Sequence, residues 1–321
     1  MTNRNLLITS AAAKVPVVRA AMDAATKLHP NIRVIAGDLN PDALTRHIAH
    51  EFWPMPATLD EHLSALLDGC TERSIRAILP TRDGELAFWA KHAETFAKAD
   101  LRVIVSPSDA IDQCLDKALF AEIGRRNGLP VIPTSASIED IDAATFVVKE
   151  RFGAGSRAIG IRLDHNAAVA HAETLDQPIF QPFIEGREIS IDAWADAHGV
   201  VKGLVLRRRD EVVNGESRIT TTFRDAALES KAQQWIEAYG VRGPVVMQVV
   251  LDASGAPYII ELNARFGGAS TASIQAGLDS LYWSLLEASG SDVSLHPFMR
   301  SKTDIRQVRI PTDIHVHGSD F

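Results

Sequence analysis

Glu261, Asn263 and Arg265 alternate along the stretch Tyr258-Ile259-Ile260-Glu261-Leu262-Asn263-Ala264-Arg265-Phe266-Gly267-Gly268. Residues two apart on an extended chain point the same way. One strand face would therefore carry a carboxylate, an amide and a guanidinium. Carboxylate and amide oxygens are hard ligands of the kind Mg²⁺ takes, and arginine suits a phosphate oxygen. Gln248, on the preceding strand, can present a third oxygen. A buried Glu–Arg pair at a solvated strand end would use the same residues. A second stretch, Val147-Val148-Lys149-Glu150-Arg151-Phe152-Gly153-Ala154-Gly155-Ser156, delivers a lysine and then a glycine-rich turn. Lysine is a point charge for phosphate, and successive N–H groups in such a turn make an anion-binding concavity. A flexible hairpin tip is the alternative, and the spacing is not that of a Walker loop. In a third stretch, Gln181-Pro182-Phe183-Ile184 is extended and can offer backbone groups to a planar base, while Glu188 can accept from ribose hydroxyls. In the fourth, Leu206-Arg207-Arg208-Arg209, a strand puts Arg207 and Arg209 on one face, as a phosphoryl clamp or as a solvated charge run.

These residues need elements to hold them. The first hundred residues read as alternating strands and helices: strands at 6–9, 32–36, 75–79 and 101–105, helices at 16–28, 59–67 and 85–97. Helices between strands imply parallel pairing with right-handed crossovers, hence an open doubly wound sheet with ligands at the strand C-terminal ends. A single helix is expected over 109–127, holding Lys117. Beyond it the pattern changes to an antiparallel α+β region. Strands are expected at 146–149, 179–181, 189–194, 200–206, 245–251 and 258–262, the last two joined as a hairpin through Asp252-Ala253-Ser254-Gly255-Ala256. Helices are expected at 226–239 and 270–286.

The chain has 321 residues, 46% of them hydrophobic, and a formal net charge of −8. That charge argues against a nucleic-acid surface, and no apolar run is long enough to span a membrane. Met1 to Asn5 runs directly into a strand-like segment, unlike a secretory signal, so a cytoplasmic location is expected. Cys70 and Cys114 form neither a metal spacing nor a disulfide framework. His315-Val316-His317 has a spacing that can chelate a metal, though a solvated chain end is the preferred reading. No Ser/His/Asp or Cys/His arrangement points to a protein nucleophile.

Taken in order, these motifs resemble the ATP-grasp superfamily over nearly the whole chain: a helix lysine, a strand lysine with a glycine loop, a glutamate after an extended segment, arginines, then Gln and Glu-x-Asn-x-Arg. The likeness is to its carbamoyl-phosphate-synthase-like and pyrrolysine-biosynthesis-ligase-like carboxylate–amine ligases. Pro80-Thr81-Arg82-Asp83-Gly84-Glu85-Leu86 and Asp116-Lys117 also resemble that group. The resemblance implies a doubly wound pre-ATP-grasp domain at 1–108, a lid subdomain at 109–184 and a metal and substrate subdomain at 185–321. It implies ATP and Mg²⁺, with Mn²⁺ as a substitute. Lys117, Lys149, Gly153, Gly155 and Ser156 would hold phosphates, Gln181, Phe183 and Ile184 the adenine, and Glu188 the ribose. Gln248, Glu261 and Asn263 would hold metal, and Arg265 with Arg207 or Arg209 would contact the transferring phosphoryl group. Small-molecule carboxylates and amines, amino acids among them, would be the substrates, and a homodimer is compatible. Arg82, Asp83 and Glu85 would face substrate across from Gly267-Gly268-Ala269-Ser270. The chain departs from the group's pattern at Glu150 and Ala264, where proline is common, and at Ala158, where glycine is common. Other ATP-grasp chemistry (a small-molecule kinase or carboxylase) and a nucleotide-binding module without turnover are the alternatives. A Rossmann-type oxidoreductase lacks its glycine fingerprint.

Overall fold

A computed structural model describes residues 5–153, 158–213 and 215–315 of the chain. In the N-terminal region, β1 (Asn5–Ile8), α1 (Val15–Leu28), β2 (Val34–Asp38), β3 (Glu51–Pro54), α2 (Leu63–Glu72), β4 (Ile75–Leu79), α3 (Asp83–Lys98) and β5 (Arg102–Val103) follow one another. The five strands form a parallel sheet in the order β3-β2-β1-β4-β5. Both faces are covered, which is why its central strands are largely apolar. Leu6, Ile8, Val34, Ala36 and Leu79 pack with α1, whereas Leu7, Ile35, Ile75 and Ile78 pack on the other face with Trp89 and Phe96. The order reverses between β1 and β4.

Two short helices, α4 (Ser108–Leu115) and α5 (Lys117–Arg126), lead out of this region. They replace the single helix expected over 109–127. Asp116 is extended and caps the second helix, its carboxylate accepting from the N–H groups of Ala118 (3.0 Å) and Leu119 (3.2 Å). Lys117 therefore starts a helix rather than sitting inside one. Next come β6 (Phe146–Glu150), β7 (Gly160–Leu163), α6 (His165–Ala172) and β8 (Pro178–Pro182), the strands forming an antiparallel sheet in the order β7-β6-β8.

The last region holds β9 (Gly186–Ala195), β10 (Val201–Val213), β11 (Glu216–Phe223), α7 (Ala226–Glu237), β12 (Gly243–Asp252), β13 (Pro257–Asn263), α8 (Thr271–Gln275), α9 (Ser280–Ala288) and β14 (Arg306–Val308). Its sheet runs β13-β12-β9-β10-β11-β14, and every pairing is antiparallel, including the expected β12–β13 hairpin. One face is apolar: Ile189, Ile191, Met247 and Val249 pack with Phe120, Trp235 and Tyr239. The opposite face packs Trp194 and Val205 against α9 and carries polar side chains elsewhere. The helix expected over 270–286 is broken at Gly277. Its φ is +101°, and a Cβ there would lie 2.0 Å from the Met299 carbonyl oxygen, so only glycine fits. β3, β11 and β14 were not expected, the strand at 32–36 begins two residues later, and that at 101–105 is cut to two residues.

Helix α9 packs on α1, and Trp283 and Leu285 join the core that holds Leu6 and Ile8. First and last regions thus share a core. Among the described residues no helix is long and apolar enough to cross a membrane.

Candidate active site

The polar face of the six-stranded sheet, the end of the three-stranded sheet and the C-terminal edge of the parallel sheet enclose a cleft of about 1000 Å³. That is the upper end of the range for small-molecule sites. Its lining includes Lys117, Lys149, Gly153, Gln181, Phe183, Ile184, Glu188, Arg207, Arg209, Gln248, Glu261, Asn263 and Arg265. Gly155 and Ser156, expected at the loop tip, lie outside the described residues, as does His317. His315 is exposed and does not line the cleft.

Strand alternation builds the oxygen-rich wall. Leu262, Ala264 and Phe266 point into the core, and Glu261, Asn263 and Arg265 face the cleft. The extended geometry thus continues in effect past the end of β13. Gln248 lies directly opposite Glu261 in the hairpin register. Glu261 Oε1 accepts from the Asn263 amide at 2.9 Å and, with the Gln248 amide turned to satisfy both its ends, from Gln248 at 2.7 Å. The Gln248 oxygen then accepts from Arg209 Nη1 at 3.1 Å. The donor set is one carboxylate and two amides, and no cluster of three His, Cys, Asp or Glu side chains occurs among the described residues. Mg²⁺ needs no more than one or two protein carboxylates when phosphate oxygens complete its shell, so these residues fit it. Both amides must rotate to turn oxygen toward an ion.

Facing this wall are two lysines. Lys149, on β6, is 5% exposed and has no hydrogen bond or ion pair with the described residues. Burial pulls its pKa down to about 8. Glu261 and Glu188 oppose that shift, and the neighbouring Lys117 adds to it. An unpartnered buried ammonium is costly, and an anion in the cleft would relieve it. Lys117, at the start of α5, donates to the Gly153 carbonyl at 2.8 Å and lies 3.3 Å from that of Arg151. Arg151 in turn grips the Asp116 carboxylate with two bonds, at 2.8 and 2.5 Å. The base of the glycine loop is therefore pinned to the cap of α5.

The apolar end of the cleft is formed by Ile132, Val147, Phe183, Ile184, Val250 and Ile260. Buried Gln181 donates to Thr134 Oγ1 at 2.8 Å. The segment after it offers fewer backbone donors than its sequence suggests. Pro182 has none, and the Phe183 N–H is bonded to the Thr145 carbonyl at 2.9 Å. The Ile184 N–H has no backbone partner among the described residues and remains for a base. Glu188 lies at this end and receives Arg209 Nη1.

The arginines are more engaged than expected. Arg207 is 2% exposed and held by Asp192 through two bonds (2.5 and 2.9 Å), with a third to Thr220 Oγ1 at 3.1 Å. Asp192 also accepts from Ser270 at 2.8 Å and from Ser273. Arg207 lines the cleft as part of a buried ion pair. Arg265 is clamped by Asp83 through bonds of 2.7 and 2.5 Å. Asp83 and Arg82, at the start of α3, do line the cleft, but Glu85 turns inward. It is 1% exposed, accepts from the N–H groups of Thr81 (3.0 Å) and Arg82 (3.1 Å) and from Trp89 (3.2 Å), and so caps α3. Its expected place facing substrate is corrected to that capping role. Lys14, Glu216 and Arg309 also line the cleft and were missed. Arg309 follows the three-residue strand β14, and Glu216 begins β11, so the signal that could have found them was the unread β10–β11 hairpin and its partner strand.

The candidate site residues thus come from all three regions of an α/β plus α+β fold. Comparisons with known proteins show what this chain is similar to. Residues 174–311 match the family described as ATP-grasp in the biosynthetic pathway with Ter operon, and residues 6–104 match the PylC-like N-terminal domain. The chain is thus similar to ATP-grasp proteins over its last region and to PylC-like proteins over its first. It is 24% identical to the carbamoyl phosphate synthase large chain of Pyrococcus furiosus over 196 residues, 54% of this chain and 18% of that one. The chain thus spans under a fifth of that relative. The fold is similar to the L-amino acid ligase from Bacillus licheniformis (TM-score 0.68, 21% identity, 90% of this chain and 74% of that one). It is also similar to the biotin carboxylase domain of the Hydrogenobacter thermophilus 2-oxoglutarate carboxylase, solved with MgADP (0.75, 19%, 95% and 74%).

Proposed function

We propose that this protein is an ADP-forming ligase that joins a small carboxylic acid to an amine through an acyl phosphate. The observation that carries it is the meeting in one cleft of a buried, unpartnered Lys149 with the Glu261-Asn263-Arg265 strand face. ATP lies with its base among Phe183, Ile184 and Val250 and its triphosphate between Lys117, Lys149 and the strand face. Glu261, Asn263 and Gln248 hold Mg²⁺, which when bound cancels charge on the phosphate oxygens.

A carboxylate is a poor electrophile, and phosphorylation gives it a leaving group. Lys149 and Lys117 neutralise the γ-phosphoryl oxygens, so that a carboxylate oxygen can approach phosphorus. The new O–P bond forms as the bond to the bridging oxygen breaks, and its electron pair leaves with ADP. Arg265, oriented by Asp83, sits where it can hold the transferring group and the acid together. The amine then attacks the acyl carbon, phosphate departs and the amine loses a proton. Exclusion of water from the acyl phosphate falls to the cleft wall that Phe152 and Gly153 line.

A screen of paired carboxylic acids and amines, amino acids included, tests the reading. ADP release should require an acid and an amine together, with an amide detected by mass. ADP release with bicarbonate alone, or a stable phosphorylated acid without any amine, would assign a different chemistry to the cleft.

A further inference from the structure

One end of the cleft carries cations that the nucleotide and ion sites leave unused. In open α/β sheets ligands bind in the crevice where the strand order reverses. Here that point lies between β1 and β4, and it opens on the cleft through Lys14, after β1, and Arg82, after β4. The loop bearing Lys14 is fixed, with the Ala12 N–H on Asp38 (2.8 Å) and the Ala11 N–H on the Gly37 carbonyl (3.1 Å). The Lys14 ammonium has no hydrogen bond or ion pair with the described residues. The Arg82 guanidinium makes one hydrogen bond, to Ser10 Oγ at 3.2 Å, and no ion pair among them.

Across the cleft Arg309 lies over Gly268, donating to its carbonyl at 2.5 Å and to Glu216 at 2.6 Å. Its Nε is buried without a partner. A Cβ at Gly268 would come within 3.1 Å of the guanidinium, so glycine permits this approach. Asp83 offsets Arg265 and Glu216 offsets Arg309, which leaves Lys14 and Arg82 as uncompensated positive charge. This group is distinct from Lys149 and borders Lys117, on which Asp83 also acts. The charges acting on Lys14 are Arg265, Glu216, Asp83 and Arg309, whereas those acting on Lys149 are Glu261, Lys117 and Glu188. Burial, then Arg265, lowers the Lys14 pKa, a strain that an anion would remove.

We propose that this end of the cleft reads a second anionic group on the acid substrate, with Lys14, Arg82 and Arg309 holding a carboxylate or phosphate of a multiply charged small acid while its reacting carboxylate lies beside Arg265. The inference rests on the ligase reading for the second half of that sentence.

Calorimetric titration of the full chain, with and without saturating Mg²⁺ and the non-hydrolysable analogue AMP-PNP, tests it. The probes are succinate against succinamate, glutarate against glutaramate, and O-phosphoserine against serine. The first two pairs remove a carboxylate and the third a phosphate, so they distinguish the two anions. At least one charged member should bind about tenfold or more tightly than its partner. Lys14→Met should erase the preference and Lys14→Arg should retain it, with AMP-PNP affinity changed less than about twofold. Equal binding within every pair, no binding by any charged member, or a preference that survives both Lys14→Met and Arg82→Gln overturns the proposal. Failure of the wild-type chain to bind AMP-PNP would instead overturn the ligase reading, and the acid titrations without nucleotide would still decide the anion site.

Discussion

A buried ammonium without an anionic partner is tolerable only where a ligand completes it, and Lys149 sets the sharpest chemical demands in the cleft. Its pKa of about 8 lies below the ordinary 10.5 because burial disfavours the charged form. Between those values the unfolded chain binds more protons than the folded one at this position. Lys149 should therefore add stability as pH rises from about 8 to 10.5. ATP needs the charged form, so its affinity should be flat below pH 8, fall above it and be accompanied by proton uptake. Titration calorimetry in buffers of different ionisation enthalpy checks both. Lys149→Met should weaken ATP by about tenfold or more and remove that pH dependence, without lowering the melting temperature. Glu261→Ala should abolish Mg²⁺-dependent ATP turnover while the circular dichroism spectrum stays native. Full turnover in that variant would reject the ion assignment. Glu261, Asn263 and Arg265 could be picked from sequence because a period of two needs no tertiary information. Lys14 could not, since its role depends on β1 and β4 being neighbours although some seventy residues separate them.

At the level of the element, the three-stranded sheet carries a visible mismatch. Ala158 has φ +51°, a left-handed conformation that costs an L-residue about 1–2 kcal/mol. Ala158→Gly relieves this strain but adds unfolded-chain entropy, for a net gain of about 0.5–1 kcal/mol. Thermal unfolding of the two proteins should register it, and a loss of stability would mean that the methyl group packs usefully. The unusual alanine was legible as a departure from pattern, though its backbone angle was not. The same holds for Asp116. Its type marks an N-cap, yet the apolar periodicity of 109–127 ran smoothly through it, and the break falls there because Arg151 holds the Asp116 carboxylate and accepts from the Lys117 N–H (3.2 Å). β11 and β14 escaped notice because Arg306–Val308 is three residues long and Glu216–Phe223 is mostly polar. Pairing makes them strands, β11 with β10 and β14 with β11, not their own composition.

For the whole molecule, two ion pairs tie the regions to the cleft. Arg265–Asp83 links the end of β13 to the start of α3, so the N-terminal region helps to orient Arg265 in the cleft. Arg207–Asp192 with Ser270 and Ser273 locks β9 and β10 to the start of α8. Breaking a buried pair by removing one partner leaves a charge unpaired, so Asp192→Asn should cost about 3–5 kcal/mol in denaturant unfolding. A loss below about 1 kcal/mol would show that Arg207 finds another partner. The parallel and antiparallel halves were readable from the spacing of strands and helices. The shared core of α1 and α9 was not, because no local pattern records which distant helix will cover a sheet face.

Activation of a carboxylate by phosphorylation before the amine arrives is the step on which the proposed ligase chemistry turns. It is tested most directly with the acid and amine that the ADP-release screen selects, the acid carrying ¹⁸O in its carboxylate, and the released phosphate analysed by mass. Transfer of one labelled oxygen from acid to phosphate is the predicted result. Phosphate free of the label, or ADP formed at the same rate without the acid, would contradict it.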